Sequence, residues 1–289
     1  MKIRSFAKIN LGLEVEGKRP DNYHNIRTLF QAIDVSDILE FIPLSSSSID
    51  LQGDDESIFW GEDNLVFRAA RQLQEKFRIT EGVGIRVSKN IPAGRGLGGG
   101  SSNAAMTLYA LNKMWALGLS KEVLIEEGRT LGADIPFFFE GGLCLGLERG
   151  DHILPLPDIS PLFCVLVIPP FPVGTAGIYS SLLPSFLTSN SKDSKINRFL
   201  TTRELGFLEN RLEETVFNIY PQLKDIKSLF QSQGAVLSLV TGTGSAVFGI
   251  FEERGKAEKS LERMSEQNAA VLAETLPRTT YWKRIDAGV

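Results

Sequence analysis

A chain of 289 residues has room for one large or two intimate domains, and 43% hydrophobic against 23% charged residues is the balance of a globular protein, not of a disordered one. A net charge of -4 without a basic stripe gives no reason to expect nucleic-acid binding, and two histidines leave little material for a histidine-rich metal site. Cys144 and Cys164 each lie in an apolar run, which predicts buried thiols, and no leader-like or membrane-length apolar run is seen; a cytoplasmic chain that makes no membrane contact is expected.

From Ile3 to Val15 apolar and polar residues alternate, which predicts a strand with Lys8 and Asn10 on its polar face. A loop follows over Gly17 to His24, then strand-like runs at Arg27 to Ile33 and Ile38 to Ile42. Turns are expected at Ser45 to Ser48 and at Gly53 to Asp55. Glu62-Asp63-Asn64 begins a helix whose stripe is Val66, Ala70, Leu73 and Phe77. Val83 to Val87 reads as a strand.

Ile91 to Ser102 is a glycine loop with five glycines in the seven residues Gly94 to Gly100, running into a helix expected to start at Ser101 to Asn103. Glycines that bury nothing cost conformational entropy, so close backbone approach is the reason to keep them. Converging N–H groups and a helix start make a phosphate cradle. Gly94, Gly96 and Gly99 fit the dinucleotide string G-x-G-x-x-G, but the acidic strand end due about twenty residues later falls inside a helix, Leu108 to Leu117. The ATPase loop needs a lysine that Gly100-Ser101-Ser102 lacks.

The loop's helix is expected to bury Ala105, Leu108, Leu111 and Trp115 and to stop at Gly118; Ser120 caps the next, toward Leu131. A tight turn at Gly132 to Pro136 precedes Phe137-Phe138-Phe139. Strands are predicted at Gly141 to Leu147 and Leu162 to Ile168, an exposed loop at Pro184 to Lys195, and helices at Asn210 to Phe217 and Gln222 to Phe230. Val236 to Val240, the turn Thr241 to Gly244, Ser245 to Phe251, a helix near Lys256 to Glu266 and Thr280 to Ile285 close the chain. The whole reads as an α+β protein of two domains, 1–158 and 159–289.

Taken together, Ala7-Lys8-Ile9-Asn10-Leu11, Pro20-Asp21-Asn22-Tyr23-His24, Asp63-Asn64-Leu65, the glycine loop, Leu131-Gly132-Ala133-Asp134-Ile135-Pro136 and Thr241-Gly242-Thr243-Gly244 resemble the GHMP small-molecule kinases. Their order is similar to that of the 4-diphosphocytidyl-2-C-methyl-D-erythritol kinase branch, and the resemblance spans almost the whole chain. It implies a two-domain GHMP kinase fold, with a ribosomal-S5-like nucleotide domain and a ferredoxin-like substrate domain. It also implies transfer of phosphate from ATP to the 2-hydroxyl of the cytidylyl substrate, on the methylerythritol phosphate route to isoprenoid precursors.

Residue by residue, the resemblance makes Asp134 the proton acceptor and Lys8 the cation that steadies it. Taken alone, Lys8 reads as a solvated strand residue and Asp134 as a turn or capping residue; the linked motifs reverse that balance. Asn10 is placed to hydrogen-bond a substrate hydroxyl or a cross-strand neighbour. For the cytosine end the family positions match Tyr23, His24 and, through the loosely matched Thr175-Ala176-Gly177, Tyr179; half-buried packing is the alternative for the tyrosines. ATP phosphates are expected on Pro92, Gly94, Gly96, Leu97, Gly98, Gly99, Gly100, Ser101 and Ser102, with Asn64 and Lys89 near the nucleoside and Gly242 and Thr243 facing the substrates. Ser102 is placed either to approach a Mg²⁺ carried by ATP or to cap the helix, and no protein-only metal cage is visible. Arg95 and Arg211 stand where smaller or acidic residues are expected, and Gly146 to Gly150 is poorer in glycine than the family stretch, leaving Arg149 without an assigned role. Arg95 either contacts phosphate or points to solvent. The remaining alternatives are a mevalonate, homoserine or sugar kinase of the same superfamily, which has no reason for the Tyr23-His24 module, and a non-catalytic nucleotide-binding protein. The assembly is expected to be a monomer or weak homodimer.

Overall fold

The computed structural model describes residues 1–21, 23–182 and 194–287. Its first half is built on a long antiparallel hairpin, β1 (Lys2–Lys18) and β2 (His24–Leu44). β1 occupies one edge of β2, and the other edge is shared by β4 (Gly82–Ser88) and β5 (Leu143–Leu147). β3 (Ile49–Gly53) runs parallel to β4, and β6 (His152–Pro155) antiparallel to β5, which completes a six-stranded sheet.

The two runs expected at 27–33 and 38–42 are one continuous strand. The polar residues that read as a break between them serve other segments: Asp34 accepts the Glu274 N–H at 2.7 Å, and Asp37 the N–H groups of Asn90 and Ile91 at 2.7 Å each. The pairing with β1 shifts register there and at two further bulges. The first two shifts change which core β1 serves. Phe6 packs under the helices of the first half, Ala7, Ile9 and Leu11 pack between the two sheets, and Leu13 and Val15 pack against the second half. Hence the expected polar face is not solvated: Lys8, Asn10 and Glu14 are all buried.

Helices α1 (Leu65–Lys76), α2 (Gly99–Met114) and α3 (Lys121–Leu131) pack with this sheet in one core. Asn64 caps α1 and Ser120 caps α3, as their side chains predict. A 3₁₀ turn over Ile135–Phe139 buries the whole phenylalanine run.

The second half is a four-stranded antiparallel sheet of β7 (Phe163–Ile168), β8 (Leu237–Val240), β9 (Val247–Phe251) and β10 (Ala269–Glu274), ordered β10-β7-β9-β8. Helices α4 (Thr175–Ser180), α5 (Lys195–Thr202), α6 (Glu213–Ile219) and α7 (Gln222–Ser232) lie between β7 and β8 in sequence, and α8 (Arg254–Ser265) between β9 and β10. This is the ferredoxin-like βαββαβ order that the resemblance implies. α9 (Arg278–Asp286) returns to the first half, where the buried Tyr281 hydroxyl donates to the Phe138 carbonyl at 2.8 Å. The loop expected at 184–195 lies outside the described residues apart from 194 and 195, and Lys195 already begins α5. Both thiols are free and buried, and burial pushes that of Cys144 up to about 12.

Candidate active site

β1 carries Lys8 beneath the glycine loop, where its backbone N–H donates to the Leu97 carbonyl at 3.0 Å. The contact needs glycine at 98: a Cβ there would meet the Phe138 ring at 2.9 Å and Lys8 Cγ at 3.1 Å, and its φ is +72°. Gly96 is more constrained, since a Cβ would lie 2.1 Å from the Thr241 carbonyl oxygen. The loop is therefore interlocked with the turn between β8 and β9. Thr241 Oγ1 lies 3.1 Å from the Gly96 carbonyl, and the Ala246 N–H donates to the Arg95 carbonyl at 3.2 Å. Asn210 steadies that turn in its own right, donating to the carbonyls of Val240 and Gly242 at 2.8 and 2.7 Å.

Asp134 sits between α3 and the 3₁₀ turn. Its side chain caps neither; instead Oδ2 lies 3.3 Å from Lys8 Nζ. The lysine is almost wholly buried, its ammonium also donates to Asn10 Oδ1 at 2.7 Å, and it lies 5.2 Å from the centre of the Phe30 ring. Asn10 in turn donates through Nδ2 to Thr28 Oγ1, whose hydroxyl donates to the Gly12 carbonyl. Of the two partners expected for Asn10, the structure shows a cross-strand one, Thr28, and Asn10 Oδ1 orients the Lys8 ammonium. An ammonium held between an amide oxygen and one carboxylate remains free to approach a third anion.

Lys8, Asn10 and Asp134 line a cleft of about 890 Å³ together with Tyr23, His24 and Tyr179, and Thr175, Gly242 and Thr243 face the same space. The Thr175 and Thr243 hydroxyls are 3.2 Å apart. His24 and Tyr179 are stacked on each other, centroids 5.3 Å apart and planes at 26°, which leaves no room for a base between them, since two stacking gaps need about 7 Å. The open aromatic face is Tyr23, 56% exposed, with the Arg149 guanidinium 5.3 Å from its ring centre. Burial, followed by the Lys18 ammonium, holds the His24 imidazole below its ordinary pKa. Arg149 was not legible because its stretch departs from the family pattern, and its place over Tyr23 comes from the β5–β6 turn.

A second cleft of about 360 Å³ lies over the glycine loop. Pro92, Gly94, Gly96, Leu97, Gly98, Gly99, Gly100 and Ser101 line it with Asn64 and Lys89, as expected, and Ile58, Trp60 and Arg95 join them. Gly96 borders both clefts. Ser102 does not line this cleft. The helix starts two residues before Ser101, with Gly98 as its N-cap, so Ser102 falls in the first turn, where its hydroxyl accepts a 2.6 Å hydrogen bond from Ser5. Asn64 spends its side chain on α1, accepting the Val66 N–H at 3.0 Å and donating to the Phe59 carbonyl at 3.0 Å. Lys89 is paired with the fully buried Asp37, the residue sequence reasoning missed because it reads as part of a strand break. That carboxylate gathers Lys89 and the two following N–H groups and so fixes the path of the chain into the loop.

Comparison with known proteins places these features in context. Residues 64–142 match the family model described as GHMP kinases N terminal domain, and residues 194–270 that described as GHMP kinases C terminal. The 4-diphosphocytidyl-2-C-methyl-D-erythritol kinase of Syntrophus aciditrophicus is 42% identical over 261 residues, covering 90% of this chain and 93% of that protein. The enzyme of that name from Solibacter usitatus is 39% identical over 273 residues, covering 91% and 85%. A crystal structure of 4-(cytidine 5'-diphospho)-2C-methyl-D-erythritol kinase superposes with a TM-score of 0.82 at 32% identity, covering 95% of this chain and 99% of that one. Homoserine kinase from Cytophaga hutchinsonii, at 18% identity and a TM-score of 0.76 over 97% and 96% of the two chains, shares the fold.

Proposed function

The chain belongs to the 4-diphosphocytidyl-2-C-methyl-D-erythritol kinase family of GHMP kinases, and from that premise we propose that it transfers the γ-phosphoryl group of ATP to the 2-hydroxyl of that compound. One observation carries the reading. The Lys8–Asp134 pair stands in the larger cleft beside Gly96, the residue at which that cleft adjoins the phosphate cradle.

In the proposed reaction the acceptor lies in the larger cleft, its cytidylyl end toward Tyr23, His24 and Tyr179, and the ATP phosphates lie on the backbone of Gly94 to Ser101. The bond between the γ-phosphorus and the β–γ bridging oxygen breaks, a bond from that phosphorus to the 2-hydroxyl oxygen forms, and ADP leaves with the electron pair of the broken bond. The hydroxyl proton passes to Asp134. Lys8 faces the oxygens on which charge builds, in a site where Asn10 fixes its direction before the substrates arrive. Gly242 and Thr243 close the acceptor side, with Thr175 beside Thr243.

Among the described residues no three His, Cys, Asp or Glu side chains converge to hold a metal. Mg²⁺ carried by ATP is proposed as the cation that neutralises phosphate oxygens in this reaction class. We further propose a division near 158/159, between the end of β6 and the start of β7, and a cytoplasmic monomer or weak homodimer, in keeping with the two unpaired thiols. No helix of the described residues is long and apolar enough to cross a membrane.

An acceptor panel tests the reading. With ATP and Mg²⁺, ADP release is expected with 4-diphosphocytidyl-2-C-methyl-D-erythritol and not with mevalonate or homoserine; release with either of the latter in its place would assign the chain to another activity of the superfamily.

A further inference from the structure

We propose that Arg95 is a phosphate-binding residue of the nucleotide cleft, an inference that rests on the ATP-dependent reading above. Arg95 and Lys89 are the charged side chains among the described residues that line this cleft. The Lys89 ammonium is already neutralised by Asp37. Arg95 has no such partner among the described residues: it forms no ion pair, and its Nε is shielded from solvent without a hydrogen bond.

Its position is fixed by the backbone. The Arg95 carbonyl accepts from Ala246, and the next residue is wedged against Thr241, so the loop does not swing the side chain away from the cleft. A guanidinium that is partly desolvated and unpaired is costly to hold, and an anion with two oxygens in one plane offsets that cost through paired charge-assisted hydrogen bonds. The polyphosphate of a nucleoside triphosphate is such an anion, and the cleft's backbone amides favour the same charge. Arg95 therefore supplies the unpaired cation that this cleft otherwise lacks, while Lys8 lines the acceptor cleft beside Asp134.

Calorimetric titration of the full chain with ATP, ADP and adenosine in the presence of Mg²⁺ tests this. Arg95→Ala is expected to weaken ATP and ADP by about 10-fold or more while leaving adenosine within about twofold, and Arg95→Lys to recover part of the loss. In turnover, KM for ATP rises while KM for the acceptor does not. Unchanged ADP affinity in Arg95→Ala overturns the assignment, as does an equal loss for ADP and adenosine, which marks a packing role. If the alanine variant does not fold, Arg95→Gln carries the same comparison. A wild-type chain that binds no ATP at all removes the ATP-dependent reading and this inference with it.

Discussion

Asp134 illustrates how much a single residue's surroundings decide. An aspartate before an Ile-Pro turn is ordinarily a cap, yet here the carboxylate caps nothing and turns to Lys8. Asp134→Asn keeps the shape and removes the proton acceptor, so kcat is expected to fall by about 10²- to 10⁴-fold with both substrates bound within a few-fold of wild type. Near-normal turnover would leave the transition state without need of a base. Tyr23 offers the exposed aromatic face, and Tyr23→Ala should weaken the cytidylyl substrate by about 5- to 150-fold, the worth of one stacked base, while sparing ATP; equal weakening of both would contradict stacking. His24 gives a pH signature. Its imidazole is held below the ordinary value of about 6.5, so the unfolded chain takes up a proton that the folded chain resists. The resulting stability is complete above that pH and is lost as pH falls through the folded value. The Tm of wild type relative to His24→Gln should therefore drop between pH 7.5 and 5, and a constant difference would contradict the shift. Lys8 and Asp134 were legible only through the family resemblance, since strand alternation and turn chemistry alone read them as a solvated residue and a cap, whereas the glycine loop announced a phosphate cradle by its own composition. The self-stacking of His24 on Tyr179 was not legible, since it depends on a contact between segments far apart in sequence.

Elements were legible where their pattern is long. α1, α2, α3, β4 and β7 follow from apolar patterning and caps, while β3, β6 and β10 have six residues or fewer and carry too little pattern to stand out from their flanking turns. α4 and α5, of six and eight residues, are similarly short. β2 was divided in two by Asp34 and Asp37, whose carboxylates satisfy N–H groups from distant segments that the local sequence does not reveal. The Asp37–Lys89 pair makes that bulge a structural joint between β2 and the glycine loop. Asp37→Ala leaves a buried ammonium unpaired and two N–H groups without an acceptor, and is expected to lower the unfolding free energy by about 3–5 kcal/mol in a denaturant titration. A loss below about 1 kcal/mol would show the pair to be well solvated instead.

At the scale of the whole molecule, β1 of the six-stranded sheet contributes side chains to all three cores, and this joins the phosphate loop of the first half to the Thr241–Gly244 turn of the second. Catalysis by positioning needs such a joint, because the nucleotide cleft and the acceptor cleft meet at Gly96 and a small separation there would misplace the reacting oxygens. The α+β class was readable from the succession of strands and helices, and the ferredoxin-like second half was what the family resemblance implied. The return of α9 to the first half was not readable, because an apolar Tyr281 predicts burial without saying against what. The most direct test of the account is ATP-dependent phosphorylation of 4-diphosphocytidyl-2-C-methyl-D-erythritol by the purified chain, set against the same polyol phosphate lacking its CMP. Turnover of the cytidylyl compound alone is predicted; turnover of the truncated compound at a comparable kcat/KM, or of neither while ATP still binds, would contradict it.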